Sequence, residues 1–160
     1  MDKFTFFFDK SSPFSNWYPC RFKIGKHNYV NSEQYFMEQK AIFFNDQESA
    51  AYIRLVKNPY AMKKRGRRVK GFDQQKWDNV SRDIMFRCVY EKFVQNSDLA
   101  AKLFQTGNTI LAEASPFDKK WGIGLASTDH RACNPDLWPG KNLLGCILME
   151  VRSELVNKFC

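Results

Sequence analysis

The stretch Asn31-Ser32-Glu33-Gln34-Tyr35-Phe36-Met37-Glu38-Gln39-Lys40-Ala41 joins a strong helix start to charge on the side that ought to be apolar. Asn31 or Ser32 can act as N-cap, and with Asn31 in that role Gln34 takes the third helical position of a capping box. At about 100° per residue, Phe36, Met37, Ala41, Phe43 and Phe44 share one half of the helix, and Gln34, Glu38 and Gln39 the other. Glu33 and Lys40 lie in the middle of the apolar half. Taking an ionised group out of water is costly unless it is paired, so this helix either pairs both groups or opens that face onto a cavity. The plainer alternative is a first-turn acid favoured by the helix dipole and a lysine that snorkels past its neighbours.

Length bounds the rest: 160 residues, with 15 Phe and 4 Trp, are expected to form one domain spanning 1–160. No apolar run approaches the ~20 residues of a membrane span. The start Met-Asp-Lys-Phe lacks a secretory layout, so a soluble, cytoplasmic protein with no membrane contact is expected. Cys20, Cys88, Cys133, Cys146 and Cys160 form no CxxC pair and have only two His for company. Reduced, mostly buried thiols are expected, with no metal site and no cofactor. The net charge is +8, and much of the excess lies in Lys57 and the run Lys63-Lys64-Arg65-Gly66-Arg67-Arg68-Val69-Lys70. Such a run either attracts phosphate, on a nucleotide, a metabolite or a polynucleotide backbone, or is only a solvated face.

Phe4 to Phe8 reads as a strand, and Phe14-Ser15-Asn16-Trp17-Tyr18-Pro19 as an aromatic loop that either covers a planar ligand or plugs a small core. Phe22 to Val30 reads as a hairpin with Gly25 near its turn and His27 facing solvent. Asp46 caps a second helix to Val56, and Pro59 suits the first turn of a third, which Gly66 breaks. Without a Cβ at Gly66, the backbone of Arg65-Gly66-Arg67 is free to approach an anion between two guanidinium groups. The longest helix opens at Asp73 or Trp77-Asp78 and runs to about Gln95, with Trp77, Val80, Ile84 and Cys88 as its core stripe. A short helix from Ser97-Asp98 to Phe104 precedes a strand at Ile110 to Ala114. That strand feeds the loop Ser115 to Gly124, whose Asp118, Trp121 and two Gly suit the holding of side chains over a pocket. Ser127 to Lys141 reads as a polar loop over one edge of the site. Asn142 then caps a last helix with the stripe Leu144, Ile147, Leu148, Val151 and Leu155.

Two separated acids, Glu33 and Asp118, can protonate a leaving group, activate water and stabilise an oxocarbenium-like centre. Aromatic rings can stack on a base, and Arg65 or Arg67 can hold a phosphate. Together these suit cleavage of a bond between a phosphorylated ribose and a heterocycle. A nucleotide-binding module could show the same residues.

The succession Ser15-Asn16-Trp17-Tyr18-Pro19, Ser32-Glu33-Gln34-Tyr35-Phe36, Gln39-Lys40-Ala41, Gly66-Arg67, Trp77, Lys92-Phe93, Thr106-Gly107, Glu113 to Asp118, Trp121-Gly122 and Gly140-Lys141-Asn142-Leu143-Leu144-Gly145 resembles the NADAR, or YbiA-like, family of N-glycosidases. The resemblance implies an α+β fold, a mainly helical single domain with a few short strands. It implies hydrolysis of N-glycosidic bonds to ribose, in phosphoribosylamino-pyrimidine intermediates of riboflavin biosynthesis or in ADP-ribose on guanine bases. Glu33 matches the family's catalytic acid, and Trp77, Asp118 and Trp121 match positions of its active site, which moves Trp77 from core toward pocket wall. Gln34 stands where His is frequent, and the inserted loop Ser127 to Pro139 could alter substrate choice. The expected site is therefore Glu33, Asp118 and Lys40 for catalysis, with Asn16, Trp17, Arg65, Gly66, Arg67, Trp77, Trp121 and Asn142 for substrate. The expected partners are a phosphorylated ribosyl small molecule or an ADP-ribosylated guanine, with nucleic-acid contact through the basic run. The rival expectation is a non-catalytic module that binds ADP-ribose or nucleic acid.

Overall fold

Asn31 caps the helix that organises the chain: its side chain accepts a hydrogen bond from the Gln34 N–H at 2.8 Å. The structure, a computed structural model, describes residues 3–160. Strands β1 (Phe4–Phe7), β2 (Phe22–Ile24) and β3 (His27–Tyr29) are followed by helices α1 (Ser32–Phe43), α2 (Gln47–Leu55), α3 (Pro59–Gly66), α4 (Gln74–Val94) and α5 (Ser97–Gln105). Then come β4 (Ile110–Glu113), two short 3₁₀ turns at His130–Cys133 and Pro135–Leu137, and α6 (Leu143–Phe159). The class is α+β, mainly helical with a few short strands. The chain packs as two units, one of residues 16–96 and one of residues 3–15 with 97–160.

In the first unit α1 packs against α2, α3 and α4. Every residue from Ser32 to Glu38 is buried, so the helix has no solvent face over its first two turns. This corrects the two-sided reading, because Gln34 and Glu38 face polar networks rather than water. The Gln34 amide donates to the carbonyls of Ile53, Arg54 and Val56 and accepts from Val30 N–H, tying α2 to the hairpin. The Glu38 carboxylate accepts from Tyr29 Oη and Arg54 Nε, both at 2.9 Å. A buried charge with such partners avoids most of the cost of leaving water. Asp46 caps α2 through Ser49 N–H and also accepts from Lys70 N–H, which holds its carboxyl down at about 2.

Gly66 does not break α3 but ends it inside the helix, where a Cβ would lie 2.1 Å from Met37 Sδ. Asp73 caps α4, whose buried stripe is Trp77, Ser81, Met85, Cys88, Val89, Lys92 and Phe93. Val80 and Ile84 are half-buried, so the stripe is rotated from the spacing expected.

Lys92 is 1% exposed, and burial lowers its pKa to about 8. The unfolded chain holds that proton more readily, so stability rises as pH climbs from about 8 toward 10.5. Burial pushes the Cys88 thiol the other way, from 9.0 to about 12, so its contribution is complete below pH 9 and fades above it. The Lys92 effect therefore stands alone between about pH 8 and 9. Urea unfolding is expected to show stability rising across that interval in the native chain and flat in Lys92→Met. An equal slope in both proteins would refute the assignment.

In the second unit β1 pairs in parallel with β4, Phe4 opposite Ile110 and Phe7 opposite Glu113. Helix α6 lies on β4 and buries Leu144, Ile147, Leu148, Val151 and Leu155 as its spacing requires. The close approach depends on Gly145, where a Cβ would sit 2.1 Å from Leu111 O. The segment after Ser127 is less loop-like than expected. It holds both 3₁₀ turns, and Trp138 Nε1 donates to Ala132 O at 2.8 Å, closing it over Ile123 and Leu125. Among the described residues no helix is long and apolar enough to cross a membrane, and all five cysteines are free. Only Cys88 of the five is buried, which corrects the expectation of mostly buried thiols.

Candidate active site

In the unit of residues 16–96, the aromatic loop holds the first turn of α1. Asn16 O accepts the Glu33 N–H at 3.0 Å, and Asn31 takes the next donor, so these two orphan donors of α1 are satisfied by protein. Asn16 Nδ2 points to Met85 Sδ at 3.6 Å, and Lys63 Nζ stands 5.8 Å from the Trp17 ring centroid. Asn16 thus acts through its backbone to fix Glu33, whose residue is 8% exposed. Burial at the positive end of a helix gives a carboxyl two opposed influences, desolvation favouring the acid and the dipole favouring the anion.

Lys40 lies two turns further along α1, half-buried, with its Nζ 4.3 Å from the Phe72 ring centroid. Phe44 stacks edge-on to Phe72, and Trp77 packs 5.2 Å from Phe36, so an aromatic cluster surrounds this end of the helix. Trp77 is 4% exposed and is the core aromatic that its periodicity predicts. As a wall it would act by shaping α1 from beneath.

On the side where a Cβ would stand, Gly66 is packed against Met37. Arg65 Nε donates to Ser49 Oγ at 2.8 Å, its NH2 lies 3.4 Å from Glu48, and its guanidinium stacks on Tyr52. Its fork is therefore largely committed. Arg67 is exposed and makes no ion pair among the described residues. Beside this run, Tyr52, Tyr60, Ala61, Lys64, Arg65 and Arg68 line an open groove of about 340 Å³. The residues that sequence reasoning missed here are Tyr52 and Tyr60. The spacing Tyr60, Lys64, Arg68 was the available signal, since residues four apart share a helix face.

In the unit of residues 3–15 and 97–160, the loop after β4 is rigid. Asp118 Oδ1 accepts from Lys120 N–H at 2.9 Å and Trp121 N–H at 2.8 Å, so one oxygen caps its own turn. Lys120 Nζ stands 5.2 Å from the Trp121 ring centroid. The N–H groups of Gly140, Lys141, Asn142, Leu143 and Leu144 donate in turn to carbonyls of Ile123, Lys119, Gly122, Lys120 and Trp121. Asn142 occupies the N-cap position of α6 at φ +52 but makes no cap bond. Its amide instead donates to Leu111 O and accepts from Glu113 N–H, and the residue is 2% exposed. This corrects the capping expectation: the side chain clamps β4 to α6 instead of closing the helix end. Among the described residues no group of three or more His, Cys, Asp or Glu could hold a metal ion.

The model of the NADAR domain family matches residues 5–156. An N-glycosidase of Acanthamoeba polyphaga mimivirus is 39% identical over 96% of this chain and 96% of its own length. The N-glycosidase YbiA of Escherichia coli is 31% identical over 92% of this chain and 83% of its own. A riboflavin biosynthesis protein of Vibrio vulnificus is 32% identical over 88% of this chain, which covers 35% of that longer protein. The solved NMR structure of E. coli YbiA superposes with a TM-score of 0.80 at 29% identity, covering 98% of this chain and 87% of that one.

Proposed function

This chain belongs to the NADAR domain family of N-glycosidases, and we propose that it hydrolyses the bond between a phosphorylated ribose and the nitrogen of a heterocyclic base or amine. The observation that carries the reading within the molecule is Glu33, a buried carboxyl in the first turn of α1 whose backbone is fixed by Asn16 and whose helix is capped by Asn31. In the reaction the C1′–N bond breaks, the departing nitrogen takes a proton, and water supplies hydroxide to C1′. Glu33 is the proton donor to that nitrogen. Trp17, in the same unit as Glu33, supplies a ring face for the base. Asp118, in the other unit, keeps Oδ2 clear of its own turn. Arg67 replaces Arg65 as the better phosphate ligand, because the Arg65 fork is taken.

Two substrate types fit this reading, phosphoribosylamino-pyrimidines and ADP-ribose on guanine, and we place the enzyme in the cytoplasm, where five free thiols persist. Incubation of the purified protein with each substrate, followed by mass spectrometry, is expected to show free base or pyrimidine from at least one of them. Tight, salt-sensitive binding with both ligands intact would replace the enzyme by a binding module.

Lys40 has two possible parts in this chemistry. Lys40→Met is expected to lower turnover without unfolding the protein. Borohydride added during turnover then assigns the part. A ribosyl adduct on Lys40, absent from Lys40→Arg, identifies a nucleophile that passes through an imine, and an unmodified lysine identifies an orienting ammonium.

A further inference from the structure

The net charge is carried by one of the two units. Residues 16–96 hold 16 Lys and Arg against 8 Asp and Glu, whereas the remaining chain holds 9 of each. The whole excess of +8 therefore belongs to the unit that contains the groove between α2 and α3. That groove, about 340 Å³, lies at the small end of the range of about 300–1,000 Å³ typical of ligand sites. Its walls are two exposed tyrosines, Tyr52 at 42% and Tyr60 at 62%, with Lys64, Arg65 and Arg68.

Helix C-terminal ends favour cations, which accounts for Lys63, Lys64 and Arg65 in the last turn of α3. It accounts neither for Arg67, Arg68 and Lys70 beyond that turn nor for exposed tyrosines beside them. Glu48 neutralises part of the patch, lying 3.4 Å from Arg65 and 3.6 Å from Lys70. Lys57, Lys63, Lys64, Arg67 and Arg68 make no ion pair among the described residues. Tyr60, Lys64 and Arg68 follow one another at intervals of four, so one ring face is followed by two cations, the second just beyond the end of α3. Arg65, held by Ser49 and stacked on Tyr52, fixes the second ring in place.

We propose that the α2–α3 groove is a binding site for single-stranded nucleic acid, with Lys64 and Arg68 on backbone phosphates and a base stacked on Tyr60. Rings beside cations suit a single strand, since a duplex hides its base faces while offering the same phosphates. The site is independent of glycosidic cleavage, because it requires neither a modified base nor Glu33.

The test is fluorescence anisotropy with an unmodified 20-nucleotide single strand, the matching duplex and an abasic strand of the same length. Binding to the base-bearing strand is expected to be the tightest of the three. Tyr60→Ala is expected to weaken it by about 5-fold or more, the loss of one stacked base. Lys64→Gln is expected to reduce the slope of log affinity against log salt by about 0.7, the loss of one phosphate contact. Circular dichroism on both variants checks their fold, and both should turn over a small ribosyl substrate at the native rate. Equal affinity for the abasic strand, tighter binding to the duplex, or native affinity in both variants would each overturn the site.

Discussion

Glu33→Gln is expected to lose turnover by about 10²-fold or more while remaining folded, because general acid catalysis contributes about 10²–10⁴-fold and the amide cannot supply the proton. The exchange keeps shape and leaves the backbone bond to Asn16 O in place. The same helix provides the control. Glu38 is also a buried carboxyl, but its oxygens serve Tyr29 and Arg54, so Glu38→Gln should lower the melting temperature and leave kcat near native. Free ribose phosphate released per unit time gives turnover, and thermal denaturation gives stability. Native turnover in folded Glu33→Gln would remove Glu33 from the chemistry. Loss of turnover in Glu38→Gln at unchanged stability would move the acid one turn along the helix.

The second large effect is structural. Gly145→Ala places a methyl group 2.1 Å from Leu111 O, 2.4 Å from Asn142 Nδ2 and 2.5 Å from Asn142 Oδ1. Neither the strand backbone nor the clamped amide can move aside without breaking the Asn142 bonds to Leu111 and Glu113. Overpacking of this kind costs about 3 kcal/mol. In a chain of this size that is a melting temperature roughly 6–12 °C lower. Gly66→Ala makes the comparison informative, since its 2.1 Å neighbour is the end of a flexible methionine. The drop there should be clearly smaller. A Gly145→Ala protein that melts with the native chain would show that α6 has room to shift.

What was legible in the sequence were features decided within a few residues. Asn31, Asp46 and Asp73 cap their helices because an N-cap acts on an N–H two or three positions away. Gly25 turns its hairpin at φ +62 for an equally local reason. The α6 stripe was legible because every residue of it turns to apolar neighbours, on β4 and α5. The interior of α1 was not, since whether Gln34 and Glu38 face water is decided by Ile53, Arg54 and Tyr29 on other elements. The packing of Met37 against Gly66 was hidden for the same reason, since the two lie on different helices. For the site, Glu33 and Lys40 stood out as charges in an apolar half. The groove was missed because its stripe runs past the end of α3, where a helix-by-helix reading stops.

The parallel pairing of β1 with β4 also sets an order of events during synthesis. Residues 16–96 form one uninterrupted segment, so everything that unit needs has emerged once Asn96 is made. Strand β1 is made earlier, yet its partner Ile110 to Glu113 comes only after that segment. At about 5–20 residues per second the ribosome leaves β1 waiting roughly 5–20 s with its backbone groups unpaired and Phe4 without its later ring neighbour, Trp138. A nascent chain arrested before β4 would therefore carry β1 with its pairing edge open, which marks β1 as the place where a chaperone would first take hold.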